Sequence, residues 1–288
     1  MNKYIKIALA LSVSAMALPA ENLNRDANFA HPGCSLPFRQ SVTKRQPSPE
    51  ETMFALPLIV RGGHAFLRIV QDPNRLEEVF NLIEAISENP HISQQLVATY
   101  RQVPTGAQAF RDKPRLGRIE MEALAQLPAG TLGHEYARFM RRHGLDPSSL
   151  PLHPVEDDAS YIEAHLRETH DLWHVVTGFG PDVADELGLQ AFYLAQVPNR
   201  VALAILSAGM LNTLIYAFED SGARMTQISR GWLLGRQAKT FFGTDWKQLW
   251  STPLSEVRAR MGLERGAADE VPPELLRQDS APAPVARA

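Results

Sequence analysis

Between residues 51 and 262, apolar positions recur at spacings of three and four, and the alternating runs that mark half-buried strands are missing. The pattern predicts helices over 52–70, 74–89, 93–103, 133–143, 160–177, 182–197, 201–219, 226–242 and 254–261. The fold class is therefore all-α: a single multi-helix bundle domain over residues 51–263. Residues 21–50 carry Pro32, Pro37, Pro47 and Pro49 among scattered polar residues and read as an irregular linker. Residues 264–288, with Pro272, Pro273, Pro282 and Pro284 among Ala, Glu and Arg, read as a disordered tail.

Two apolar stretches raise the question of a membrane. Residues 201–218 are uncharged throughout, bounded by Arg200 and Glu219, and brush the lower length limit of a membrane span. Ser207, Asn212 and Thr213 interrupt that stretch and no second span or aromatic belt accompanies it. A central bundle helix, apolar on all sides because it is surrounded, is the expectation. Near the start, Lys3 and Lys6 precede the apolar run 7–18, which is followed by small residues. Residues 1–20 therefore have the layout of a secretory signal, and equally of an uncleaved anchor.

The chemistry concentrates on one predicted helix and its neighbour. His170 and His174 lie one turn apart on the same face, roughly 5–6 Å between β-carbons, close enough to share an ion. Ser160 and Glu163 have the form of a capping box at the start of that helix. Ile162, Leu166, His170 and His174 recur every four residues, so both imidazoles continue the apolar stripe, away from Glu163 and Arg167. A buried imidazole needs a partner, and a metal supplies one. The break from Thr177 to Pro181 contains two glycines, and Pro181 is placed to open a new helix. Glu186 then falls in its second turn, with Leu189, Gln190 and Tyr193 on the same side. Two His and one carboxylate suit Zn²⁺ or a redox-capable ion such as Fe²⁺, with positions left open for substrate. Asp171 stands where zincins carry Glu; it could ligate the ion, hydrogen-bond a ligating His or orient a water, and these remain open.

Charge and cysteine content narrow the classes. A net charge of −3 with signs interspersed gives no footprint for nucleic acid. One cysteine, Cys34, excludes an internal disulfide framework and a cysteine-based zinc site. Arg138, Arg141, Arg142 and His143 cluster on helix 133–143, as a solvated face or as a patch for anionic lipid head groups.

The segment Leu127-Pro128-Ala129-Gly130-Thr131-Leu132-Gly133, then Tyr136-Ala137-Arg138-Phe139, then the stretch from Tyr161 to Glu186 resemble the coenzyme Q (ubiquinone) biosynthesis family called Coq-four. Its hallmark is His-Asp-x-x-His, eleven residues, then Glu; His170, Asp171, His174 and Glu186 fill every position. Gln196 and Pro198 loosely match a Gln-x-x-Pro-like stretch, and Trp250 to Leu263 is similar to the family's ending. The resemblance spans roughly residues 52–263.

It implies an all-α protein that binds a divalent metal (zinc, or iron or manganese) at His170, Asp171, His174 and Glu186. It further implies action on the C1 carboxylate of a polyprenylated hydroxybenzoate precursor, by oxidative decarboxylation and hydroxylation, with Asp171 as catalytic candidate. Other ubiquinone-biosynthesis enzymes are implied as partners, which the chain would help organise into a complex, and it would lie peripherally on the cytoplasmic face of the inner membrane, or be exported if residues 1–20 act as a signal. Helix 201–218, with Phe192 and Tyr193 near it in sequence, is the expected wall for the isoprenoid tail. A non-catalytic prenyl-lipid scaffold with a structural metal, and a zinc-dependent hydrolase, are the alternatives; homodimerisation is left open.

Overall fold

The computed structural model describes residues 49–263 apart from 89, 150, 151 and 198. Residues 1–20, the linker up to residue 48 and the tail 264–288 lie outside the described residues. Regular structure within them is helical, with one isolated bridge joining Thr131 to Pro253. The helices are α1 (Pro49–Gln71), α2 (Leu76–Ser87), α3 (Pro90–Arg101), α4 (Gly106–Asp112), α5 (Met121–Ala125) and α6 (Leu132–His143). They continue with α7 (Asp158–Thr177), α8 (Val183–Gln196), α9 (Arg200–Tyr216), α10 (Ser221–Gln237) and α11 (Leu254–Arg260). α1 starts at Pro49, inside the expected linker, because proline is tolerated in a first turn where its missing N–H would have no helical partner.

The centre of the bundle is α7 against α8. Leu172, Trp173 and Val176 of α7 and Leu189, Phe192 and Tyr193 of α8 are buried in the main core, joined by Phe241, Phe242 and Trp246. α10 crosses α8 at very short range: a β-carbon on Gly231 would lie 1.8 Å from the carbonyl oxygen of Gly188. Side-chain-free positions on both helices are what permit that approach.

α9 is not the surrounded central helix that its apolar sequence predicts. Its inner side packs on α8 through Leu206 against Leu187 and Ala191, and on α1 through Ala208. Leu203, Leu214, Ile215 and Tyr216 remain exposed, as does Phe218 just beyond it. The run is apolar on all sides although only one side is covered. No helix among the described residues is long and apolar enough to cross a membrane.

α10 ends at Gln237 rather than near residue 242, and the Gln196 side chain accounts for this. Its Nε2 donates to the carbonyls of Gly235 (2.9 Å) and Ala238 (3.3 Å), and its Oε1 accepts from the Phe241 N–H (2.9 Å). The chain is thereby turned so that Phe241 and Phe242 enter the core from a loop. The Leu127–Gly133 motif serves a related end. Gly130 takes φ +84°, a left-handed conformation suited to glycine, and its carbonyl accepts from Leu254 N–H at 2.8 Å. Leu132 and Gly133 donate to Thr252 (2.8 Å) and Trp250 (2.9 Å), which anchors the start of α6 against the segment before α11.

Candidate metal centre

α7 is started by Asp157, not by Ser160. The Asp157 carboxylate accepts from the Ser160 N–H (2.8 Å), and Ser160 Oγ accepts from the Asp157 N–H (2.9 Å). A capping box thus forms three residues earlier than expected, while Glu163 faces His153 at 3.2 Å. The predicted stripe of Ile162, Leu166, His170 and His174 is buried throughout. Gly178 ends the helix with φ +81° and donates to the His174 carbonyl at 2.8 Å. Asp182 caps α8 by accepting from Asp185 N–H at 3.0 Å, so Pro181 lies outside the helix and Glu186 falls in its first turn. There the partial positive charge of the helix N-terminus favours the carboxylate.

This tight reversal brings three donors together. The Nε2 atoms of His170 and His174 are 3.2 Å apart, and Glu186 Oε2 lies 3.3 Å from His174 Nε2 and 3.7 Å from His170 Nε2. All three residues are buried, and one ligand atom from each lies within 4.8 Å of the others. Asp171 is half-buried beside His170 and is not one of these three convergent donors.

Each imidazole is held by its other nitrogen. His174 Nδ1 lies 3.3 Å from the Phe179 carbonyl, which can only accept, so Nδ1 carries the hydrogen and Nε2 keeps its lone pair. His170 Nδ1 lies 3.2 Å from the Tyr193 hydroxyl. Gln190 Nε2 donates to Glu186 Oε1 at 2.6 Å, whereas Glu186 Oε2 and Gln190 Oε1 accept no hydrogen bond among the described residues. Phe139 of α6 stacks on His174 (5.7 Å between centroids, 19°), and Tyr193 stacks on His170 (5.8 Å, 11°) and on Trp173 (4.1 Å, 14°).

The charges follow from this enclosure. Burial favours the neutral acid at Glu186, but the two imidazoles outweigh it and hold its carboxyl below the usual range. Burial likewise opposes charge on His174, and Glu186 outweighs that, raising the imidazole. Asp171 is pushed up by burial, with His170 and His174 pulling the other way. Burial pushes the Tyr136 and Tyr193 hydroxyls well up, so both phenols stay neutral.

The residues present fit a divalent cation. With both imidazoles neutral, their lone pairs and the carboxylate oxygen would repel in so small a space unless a cation lay between them; without one, a proton on His174, favoured by Glu186, takes that place. With metal–nitrogen bonds of about 2.0–2.1 Å, tetrahedral ligand atoms stand about 3.4 Å apart. The three observed separations, 3.2, 3.3 and 3.7 Å, bracket that value. Glu186 Oε2 accepts no hydrogen bond among the described residues and has the two imidazole nitrogens beside it at 3.3 and 3.7 Å, so a cation there would also offset the cost of an unsatisfied buried acceptor.

Three of the four sequence-predicted residues thus converge on one point, with Asp171 at its edge. Sequence reasoning placed Gln190 and Tyr193 on the side of Glu186 but gave them no part in the site; their i, i+4, i+7 spacing from Glu186 was the available signal. Phe139 lay in the quoted Tyr-Ala-Arg-Phe motif without an assigned role. Arg138, Arg141 and Arg142 are exposed on the outer side of α6, and His143 is half-buried against Phe139.

Fold and site define an all-α protein with a buried two-His-one-carboxylate constellation between adjoining helices. The chain belongs to the coenzyme Q (ubiquinone) biosynthesis protein Coq4 family, whose sequence model matches residues 56–266. It is 29% identical to the ubiquinone biosynthesis protein COQ4, mitochondrial, of Phaeosphaeria nodorum, over 82% of this chain and 80% of that one. Identity to the protein of the same name in Eremothecium gossypii is 28%, over 75% and 66% of the two chains. In three dimensions it is similar to the crystal structure of a candidate ubiquinone biosynthesis protein from Nostoc punctiforme, with a TM-score of 0.63 and 33% identity, covering 72% of this chain and 98% of that one.

Proposed function

We propose that this chain acts in ubiquinone biosynthesis as a metal-dependent enzyme on the C1 carboxylate of a polyprenylated hydroxybenzoate: the acid, dioxygen and water give the C1 phenol, CO₂ and hydrogen peroxide, the bond from C1 to the carboxyl carbon breaking and a bond from C1 to oxygen forming. The observation that carries the reading is the convergence of His170 Nε2, His174 Nε2 and Glu186 Oε2 in a buried, aromatic-lined space, in a member of a ubiquinone-biosynthesis family. Zinc, iron or manganese held there would supply Lewis acidity toward a carboxylate or phenolic oxygen. The protein's own groups supply the rest. Phe139, Tyr193 and Trp173, stacked on the two imidazoles and on one another, exclude water from the donors. Asp171, adjacent to the three donors, is assigned the contact with substrate or a bound water, from which a proton can be moved.

Peripheral attachment to the cytoplasmic face of the inner membrane, beside the other ring-modifying enzymes, belongs to the same reading. The exposed corner of Leu214, Ile215, Tyr216 and Phe218 supports it, since a prenylated substrate dissolves in the bilayer. α9 packs on the Leu187–Ala191 side of α8, so the isoprenoid wall is assigned instead to the aromatic groups of α6 and α7 around the site.

The test is complementation of cells lacking the C1-modifying step. The wild-type chain restores quinone, and His174→Ala and Glu186→Ala, expressed to the same level, do not. Full rescue by Glu186→Ala would overturn catalysis at this centre and leave the scaffold alternative.

A further inference from the structure

We infer that Gln190 and Tyr193 are positioning residues of this centre, which set the atoms that Glu186 and His170 present to the cation. The inference rests on the metal reading above and extends it to two side chains outside the hallmark. Glu186, Gln190 and Tyr193 occupy successive turns of α8, so one stripe of that helix both supplies a ligand and steers two of them.

Gln190 is buried and donates to Glu186 Oε1 at 2.6 Å. A carboxylate can only accept, so the amide nitrogen must face it and the amide orientation is fixed. The last torsion of a glutamate is broad and roughly two-fold, so an unrestrained carboxylate would swing. Occupying Oε1 leaves Oε2 directed at the His pair, and Oε2 is the oxygen found 3.3 and 3.7 Å from the ring nitrogens.

Tyr193 performs the equivalent task for His170. Its hydroxyl is 3.2 Å from Nδ1 and its ring lies parallel to the imidazole. With Nδ1–H donating to the hydroxyl oxygen, Nε2 keeps a free lone pair. The reverse arrangement would put the hydrogen on Nε2, where it would meet His174 Nε2 instead of serving a cation. For His174 the same service comes from the Phe179 backbone carbonyl, which no side-chain substitution removes.

Stability alone does not account for Gln190. Its Oε1 is buried and accepts no hydrogen bond among the described residues, and an unpaired buried acceptor destabilises a fold relative to an apolar side chain of similar shape. A purely structural residue at this position would be better served by methionine or leucine. The contact with Glu186 is what the amide contributes.

The experiment titrates metal-free full-length chain with Co²⁺, whose visible absorption reports coordination, for wild type, Gln190→Met and Tyr193→Phe. Expected is 10–100-fold weaker Co²⁺ binding in each variant, with the metal-free thermal midpoint of Gln190→Met unchanged or raised. Wild type that binds, with both variants within about twofold of it rather than 10–100-fold weaker, overturns the positioning roles and leaves the metal centre standing. Weaker binding that merely tracks a lowered metal-free midpoint in both variants also overturns them, as a structural effect. Wild type that fails to bind Co²⁺ overturns the metal reading itself, and this inference with it. If Tyr193→Phe does not fold, Gln190→Met decides alone.

Discussion

Glu186 Oε2 lies 3.3 Å from His174 Nε2, although a helix ends and another begins between them. Gly178 and Asp182 make this contact: the first stops α7 at Thr177, within one turn of His174, and the second starts α8 at Val183, within one turn of Glu186. The short reversal leaves the carboxylate little choice but to face the ring. Glu186→Gln keeps size and shape but removes the charge that a cation needs. Wild type should gain stability on adding Zn²⁺, by about 2.7 kcal/mol when free metal is a hundred times its Kd. For a domain of this size that is roughly 5–10 °C in Tm. Glu186→Gln should show less than a quarter of the shift in the same melting experiment.

His165 predicts acid sensitivity independent of the metal. Its Nδ1–H donates to the Pro114 carbonyl at 2.9 Å, and its Nε2 accepts from Gly243 N–H at 3.1 Å, so the buried ring has no place for a second proton. Burial lowers its pKa from 6.5 to about 4. The unfolded chain binds this proton below about pH 6.5 and the folded chain does not, so stability is present above that pH and is lost as pH falls toward 4. The full loss is about 3 kcal/mol, at about 1.4 kcal/mol per pH unit. His165→Gln retains a donor and an acceptor but does not titrate. Urea unfolding from pH 7 to pH 4.5 should show a flatter pH dependence in this variant; an unchanged slope would remove His165 as the cause.

Gly231 sets the distance between α10 and α8. A methyl group there would lie 1.8 Å from Gly188 O and 2.6 Å from its carbonyl carbon, backbone atoms that cannot turn aside. Gly231→Ala should therefore force the helices apart, at a cost of about 1–3 kcal/mol or more. Because α8 carries Glu186, the variant should also lose part of the Zn²⁺-induced rise in Tm. Gly63, whose added β-carbon would meet nothing within 4 Å, is the control and should tolerate alanine.

How much of this was legible in the chain depends on the range of the forces involved. The buried stripe through His170 and His174 follows from a 3.6-residue period, and the break after Thr177 from glycine chemistry, so the site's three donors were readable. α4 and α5 are seven and five residues long, too short to establish a period, and were missed. The end of α10 depends on Gln196, which reaches it from another helix, so propensity alone extended it through Phe242. α9 was expected at the centre because composition reports what a helix could bury, not how many neighbours arrive to cover it. The contacts of Gln190 and Tyr193 depend on side-chain rotamers, which spacing permits but does not dictate.

The most direct measurement is the metal content of chain purified without chelators, by elemental analysis, for wild type, His174→Ala and Glu186→Ala. The account predicts close to one zinc, iron or manganese ion per wild-type chain, and loss of that ion in both folded variants. Wild type without stoichiometric metal even after incubation with each of the three ions, or Glu186→Ala retaining a full complement, would contradict it.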